Sequence, residues 1–139
     1  DLRTPGNVDY FHRVVSTEKP VLQGEDVVLL EGLQEGAVGG INAIANLVPE
    51  WPVAVYRHWT NQPEKARQVQ EKINVVLAQL YYGNDAQGNP IDGAAALQNA
   101  MAQLFRFGSP RLREPRPTYS GSDTELIRKA LETAGFFQF

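Results

Sequence analysis

Cysteine is absent from the 139 residues, methionine occurs once and histidine twice. Without thiols there is no disulfide, no thiolate nucleophile and no zinc–sulfur site. Two histidines, His12 and His58, are too few for a histidine-rich metal centre, so no metal site and no cofactor are expected. No apolar run approaches the roughly 20 residues of a membrane span; the longest apolar-rich region, 36–48, is broken by Gly39, Gly40, Asn42 and Asn46. No signal-peptide pattern stands at Asp1 and no Asn-x-Ser/Thr sequon occurs, so a cytoplasmic protein with no membrane partner is expected. Excess positive charge is missing too: 13 basic residues face 16 acidic ones, for a net charge of −3. That balance argues against a nucleic-acid partner. A 42% apolar content argues against global disorder.

What is present has the length of one domain. The chain opens on Asp1 and its only methionine is Met101, so a processed or cut piece is expected. Apolar spacing predicts a helix from Asn7 to about Glu18 with Val8, Phe11, Val14 and Val15 on one face, after a loop containing Pro5-Gly6. Val21-Leu22-Gln23 reads as a short strand, Asp26–Leu33 as a helix, 37–41 as a second strand and about 49–59 as a third helix. This alternation points to parallel βαβ units. Beyond it, Asn61 and Pro63 open a long helix to about Tyr82, with Ala66, Val69, Ile73, Val76, Leu77 and Leu80 in one stripe. A polar turn, Gly83 to Pro90, leads to a helix over Ala94–Phe105, and 110–117 form an extended arm. A capping box at Ser122-Asp123-Thr124-Glu125 opens a last helix that ends at Gly135. The expected organisation is a βα part over 1–60 and a helical part over 61–139. Two short parallel strands cannot cover both faces of a stable sheet, so a missing N-terminal part is the expected packing partner.

Leu22-Gln23-Gly24-Glu25-Asp26 and Gly36-Ala37-Val38-Gly39-Gly40-Ile41-Asn42-Ala43 carry a resemblance. So do Pro63-Glu64-Lys65-Ala66-Arg67, the Asn89-Pro90-Ile91 turn, Leu112-Arg113-Glu114-Pro115 and Ala130-Leu131-Glu132 through Gly135. In this order the segments resemble the C-terminal half of the pyruvate-dependent class I aldolases, the family of dihydrodipicolinate synthase, N-acetylneuraminate lyase and 2-keto-3-deoxy-sugar-acid aldolases. The resemblance covers essentially the whole chain. It implies an α/β fold: the C-terminal part of a TIM (β/α)8 barrel, comprising the end of strand six, strands seven and eight, and additional C-terminal helices. A complete barrel takes about 250 residues. Asp1-Leu2-Arg3-Thr4-Pro5-Gly6-Asn7 looks like the segment that follows the family's Schiff-base lysine, which would then immediately precede Asp1. No catalytic residue is therefore expected in this chain. Lys19, Lys65, Lys72 and Lys129 are wrongly placed, before a strand or on helices, and none of Tyr10, Tyr56, Tyr81, Tyr82 or Tyr119 takes the family's tyrosine role.

The resemblance leaves this chain the second side of a substrate pocket. Gly24, Glu25 and Asp26 would follow strand seven, with Gly24 admitting substrate to the backbone and a carboxylate accepting from substrate hydroxyls; a plain turn with a helix-capping Asp26 is the alternative. Gly40, Ile41 and Asn42 would end strand eight beside the bound keto acid; close strand–helix packing by glycine is the alternative there. Val27 stands where sialic acid lyases carry Glu, which counts against sialic acid, and Asn42 replaces a common serine. Arg111, Arg113 and Arg116 read as a solvated arm, Trp51 and Trp59 as packing residues, His12 and His58 as surface positions. The implied function is a Schiff-base aldolase or lyase acting on pyruvate and 2-keto-3-deoxy sugar acids. Dihydrodipicolinate synthase and a non-catalytic half-barrel assembly module are the alternatives. The expected partners are the missing half-barrel, a small 2-keto acid and, as is common in the family, further copies of the chain.

Overall fold

The structure, a computed structural model, describes residues 5–85, 87–119 and 121–136. Residues 1–4, the start of the segment read as following a catalytic lysine, lie outside the described residues. The chain divides into two compact units, Asp1–Ile73 and Asn74–Phe139, with the division inside one long helix.

In the first unit, α1 runs over Pro5–Val15, so Pro5 and Gly6 start a helix instead of forming a loop. Proline suits a first turn, where its missing N–H has no intrahelical use. The helix stops short of Glu18 because Ser16 Oγ and Thr17 Oγ1 donate to the carbonyls of Arg13 and Val14, each at 2.8 Å, and Glu18 turns to φ 61°. The two expected strands are present but short: β1 is Leu22–Gln23 and β2 is Gly39–Gly40. They pair in parallel, Leu22 with Gly39 and Gln23 with Gly40. Flanking bonds from Val38 N–H to Val21 O and from Ile41 N–H to Gln23 O extend the ladder by one step at each end.

The crossover between the strands opens as a 3-10 turn, Asp26–Val28, and continues as α2, Leu29–Gln34. The expected helix over 26–33 starts as a 3-10 turn because Asp26 does not cap it: the carboxylate is engaged elsewhere, as described below. Gly36, at φ 105°, ends this region, and Ala37 N–H returns to Gly32 O. After β2 comes a 3-10 turn at Ala43–Asn46, then α3, Glu50–His58. Val28, Leu29, Leu33, Ile44, Val48 and Val55 are buried to 2% exposure or less and form the core of this unit. Trp51 is buried, in keeping with a packing role.

Helix α4, Pro63–Tyr82, follows the expected stripe: Ala66, Ile73, Val76, Leu77 and Leu80 are buried. In the second unit α5, Gly93–Leu104, packs against α6, Gly121–Thr133. Asp92 caps α5 by accepting from Ala95 N–H at 3.1 Å, which the sequence reading did not single out. The polar turn before it is held by the Asp85 carboxylate, which accepts from the N–H groups of Gln87 and Asn89. At α6 the helix begins at Gly121, one residue before the expected Ser122 cap, and the Glu125 carboxylate binds Arg128 one turn on. No helix among the described residues is long and apolar enough to cross a membrane.

Candidate functional site

Parallel pairing sets the C-terminal ends of β1 and β2 side by side. Gly24, Glu25 and Asp26 leave one strand and Gly40, Ile41 and Asn42 leave the other, so all six sequence-predicted residues gather at one edge of the first unit. They differ in what they offer. Gly24 has open space where a side chain would stand, with no heavy atom within 4 Å of that position. Gly40 has none: a Cβ there would collide with Asn42 Oδ1 and lie 2.7 Å from Leu29 Cδ1. Gly24 therefore has the room required for backbone approach, while Gly40 serves close packing.

The two carboxylates differ in exposure. Glu25 is exposed, whereas Asp26 is 5% exposed. Asp26 Oδ1 accepts from Ile44 N–H at 3.2 Å, tying the loop after β1 to the turn after β2. Burial pushes the Asp26 carboxyl above the usual carboxylate range, and the Ile44 bond opposes that shift. The Asn42 amide faces the same carboxylate and also favours its ionised form, while its Nδ2 is buried without a well-formed hydrogen bond among the described residues. Ile41 donates its N–H to Gln23 O and leaves its side chain 72% exposed.

An open cavity of about 340 Å³ runs along the same strands, lined by Leu22, Leu29, Val38, Gly39 and Asn42 on one side and by Pro49, Val53 and Tyr56 toward α3. Leu22, Val38 and Tyr56 are each about half exposed, an apolar surface that ordinary soluble domains keep covered. Among the described residues no group of three or more acidic or histidine side chains converges as a metal site would require.

Three residues of this region were not singled out as site residues by the sequence reading. Gln70 on α4 is 3% exposed; its Nε2 donates to Asp26 O at 2.9 Å and its Oε1 accepts from Leu30 N–H at 3.1 Å. Gln23 Oε1 accepts from Glu25 N–H at 3.0 Å. Gly32 lets α2 lie directly on that glutamine, since a Cβ would come within 2.8 Å of Gln23 Cγ and Nε2. The legible signal was a polar residue inside an apolar stripe: Gln70 lies four residues after Ala66 and three before Ile73.

Residues 3–133 match the Dihydrodipicolinate synthetase family. The 4-hydroxy-tetrahydrodipicolinate synthase of Caldicellulosiruptor bescii is 30% identical over 119 residues, 85% of this chain and 37% of that protein. The enzyme of the same name from Methanopyrus kandleri is 30% identical over 135 residues, 94% of this chain and 42% of its own. Among solved structures, the 4-hydroxy-tetrahydrodipicolinate synthase of Methylacidiphilum fumariolicum SolV superposes with a TM-score of 0.75 at 22% identity, over 93% of this chain and 41% of that one. Dihydrodipicolinate synthase from Bacteroides thetaiotaomicron gives 0.69 at 27% identity, over 82% and 37%. The chain thus spans about two-fifths of the length of the relatives it matches. With a match along nearly its whole length, it belongs to the Dihydrodipicolinate synthetase family.

Proposed function

We propose that the chain is the C-terminal part of a (β/α)8 barrel whose whole protein is a Schiff-base-forming lyase or synthase acting on pyruvate. Family membership supports the reaction class, and the likeness to solved relatives supports the barrel. In the proposed reaction a lysine amine attacks the keto carbon of pyruvate and water leaves to give an imine. The imine then takes up the electron pair of a breaking carbon–carbon bond, or as its enamine delivers that pair to an aldehyde. The lysine is proposed to stand immediately before Asp1. Residues of this chain would line the other side of the pocket, with Gly24 and the Ile41 backbone beside the keto acid and Glu25 toward the second reactant. The paired C-terminal strand ends carry this reading, because barrel enzymes assemble their sites from such ends. The apolar cavity and the half-exposed Leu22, Val38 and Tyr56 support a further claim, that the rest of the barrel covers this face.

For the second reactant we favour the aldehyde half of a 2-keto-3-deoxy sugar acid. Val27, in place of an acidic residue, counts against sialic acid. The names of the curated relatives favour a second reading, condensation of pyruvate with aspartate semialdehyde. Borohydride reduction of the full-length protein with pyruvate, followed by peptide mass spectrometry, tests the reaction class. Retro-aldol assays with 2-keto-3-deoxygluconate and condensation assays with aspartate semialdehyde then separate the two substrates. An adduct without either activity points to another aldehyde. No adduct at saturating pyruvate favours a non-catalytic assembly module.

A further inference from the structure

The loop after β1 contains two adjacent carboxylates, Glu25 exposed and Asp26 buried. Which of them is presented follows from how the loop's main chain is held. No side chain caps the 3-10 turn at Asp26–Val28, and none caps α2. Two buried side chains from outside the loop supply the missing bonds. Gln70 reaches from α4 to take Leu30 N–H, one of the first-turn donors that a helix leaves unpaired. Its other end donates to Asp26 O, which also accepts from Leu29 N–H at the end of the 3-10 turn. Gln23 takes the N–H of Glu25 from the strand side.

The amide is the side chain that fits. Leu30 N–H can only donate and Asp26 O can only accept, so the partner must carry an acceptor and a donor at its tip, and only Asn and Gln have both in one amide. An aliphatic residue at 70 would suit the stripe on α4 but would leave Leu30 N–H buried without a partner. The same two partners settle which end of the Gln70 amide is oxygen. The consequence is directional: with the main chain fixed at Glu25, Asp26 and Leu30, the Asp26 carboxylate is turned onto Ile44 N–H and the Glu25 side chain is left outward.

We propose that Gln70 and Gln23 are positioning residues for the second-reactant side of the site, holding the Gly24–Asp26 loop so that Glu25, not Asp26, is the carboxylate presented. What the loop does rests on the Schiff-base reading above; how it is held does not. The test uses the full-length protein with Gln70→Met, which keeps the length and removes both bonds, and Gln70→Glu, which keeps an acceptor for Leu30 N–H and removes the donor to Asp26 O. Hydrogen exchange over 24–30 reports the loop directly. The expected result for Gln70→Met is exchange faster by about tenfold, the scale of one or two lost hydrogen bonds, with α5 and α6 unchanged. Borohydride-trapped pyruvate adduct should stay within about twofold of wild type, while kcat/KM for the aldehyde falls about tenfold. Gln70→Glu should lie between the two, and it carries the test should Gln70→Met fail to fold. Unchanged exchange over 24–30 overturns the proposal. So does exchange that rises equally in every segment with adduct yield falling in step, since that is general destabilisation. A wild type that forms no adduct overturns the Schiff-base reading instead, and the exchange over 24–30 then decides the positioning claim alone.

Discussion

At the scale of single residues, the Asp26 carboxylate links the two strand ends at an electrostatic cost. Its folded-state pKa lies above the ordinary value of 3.8 because burial disfavours the charged form. The folded state therefore holds this proton more tightly than the unfolded chain. The stability Asp26 contributes is fully present below the ordinary carboxylate range and is lost as pH rises through the raised pKa. Asp26→Asn keeps an oxygen for Ile44 N–H and removes the titration. Its stability relative to wild type should improve from about pH 4 to about pH 7, measured by urea unfolding at each pH; a gap that is flat or moves the other way would contradict the assignment. Gly32 gives a second residue-scale test. A methyl there meets Gln23 Cγ and Nε2 at 2.8 Å and Cβ at 2.9 Å, so Gly32→Ala should destabilise by about 1–3 kcal/mol. Adding Gln23→Ala should recover only part of that loss, because the Cβ contact persists. None of this was legible in the sequence: a glycine and a glutamine nine residues apart reveal a close approach only once helix and strand are folded together.

At the scale of elements, helices were more legible than strands or caps. The α4 stripe announced itself by spacing because twenty residues repeat one pattern. The strands shrank to two residues each, because so short an apolar run is bounded by where its neighbour turns away, not by its own composition. A cap misled the sequence reading where a side chain had two possible partners. Asp26 chose Ile44 over its own helix. The second unit shows the same point in a buried polar cluster joining the arm to α5 and α6. Asn99 is fully buried; its Nδ2 donates to Tyr119 O at 2.9 Å and its Oδ1 accepts from Thr124 Oγ1. The Tyr119 hydroxyl accepts from Asp92 N–H at 2.6 Å, and Arg116 pairs with the Asp92 carboxylate at 2.7 Å. Asn99→Leu should cost this unit about 2–4 kcal/mol, because it removes the amide's bonds to Tyr119 O and Thr124 Oγ1 from a fully buried position. Tyr119→Phe, which removes one bond, should cost about 1 kcal/mol. Equal losses in the two variants, read by thermal unfolding, would contradict this account of the cluster. Arg116, which the sequence suggested was simply solvated, is in fact part of this tie.

At the scale of the whole molecule, the family was the most legible feature, since it rests on the order of many weak motifs along the chain. The six candidate residues were legible as two clusters, and parallel pairing brings those clusters together. Their differences were not, because the space around the backbone distinguishes Gly24 from Gly40 and burial distinguishes Glu25 from Asp26. The chain matches relatives somewhat more than twice its length, and its two-stranded sheet leaves an apolar cavity open beside the candidate site. Both facts support the proposal that the rest of a barrel completes the core and the chemistry. The most direct test of that claim is borohydride reduction of the full-length protein in the presence of pyruvate, with the modified residue located by mass spectrometry. The account predicts a single adduct on a lysine immediately preceding Asp1. An adduct on Lys19, Lys65, Lys72 or Lys129, or none at saturating pyruvate, would contradict it.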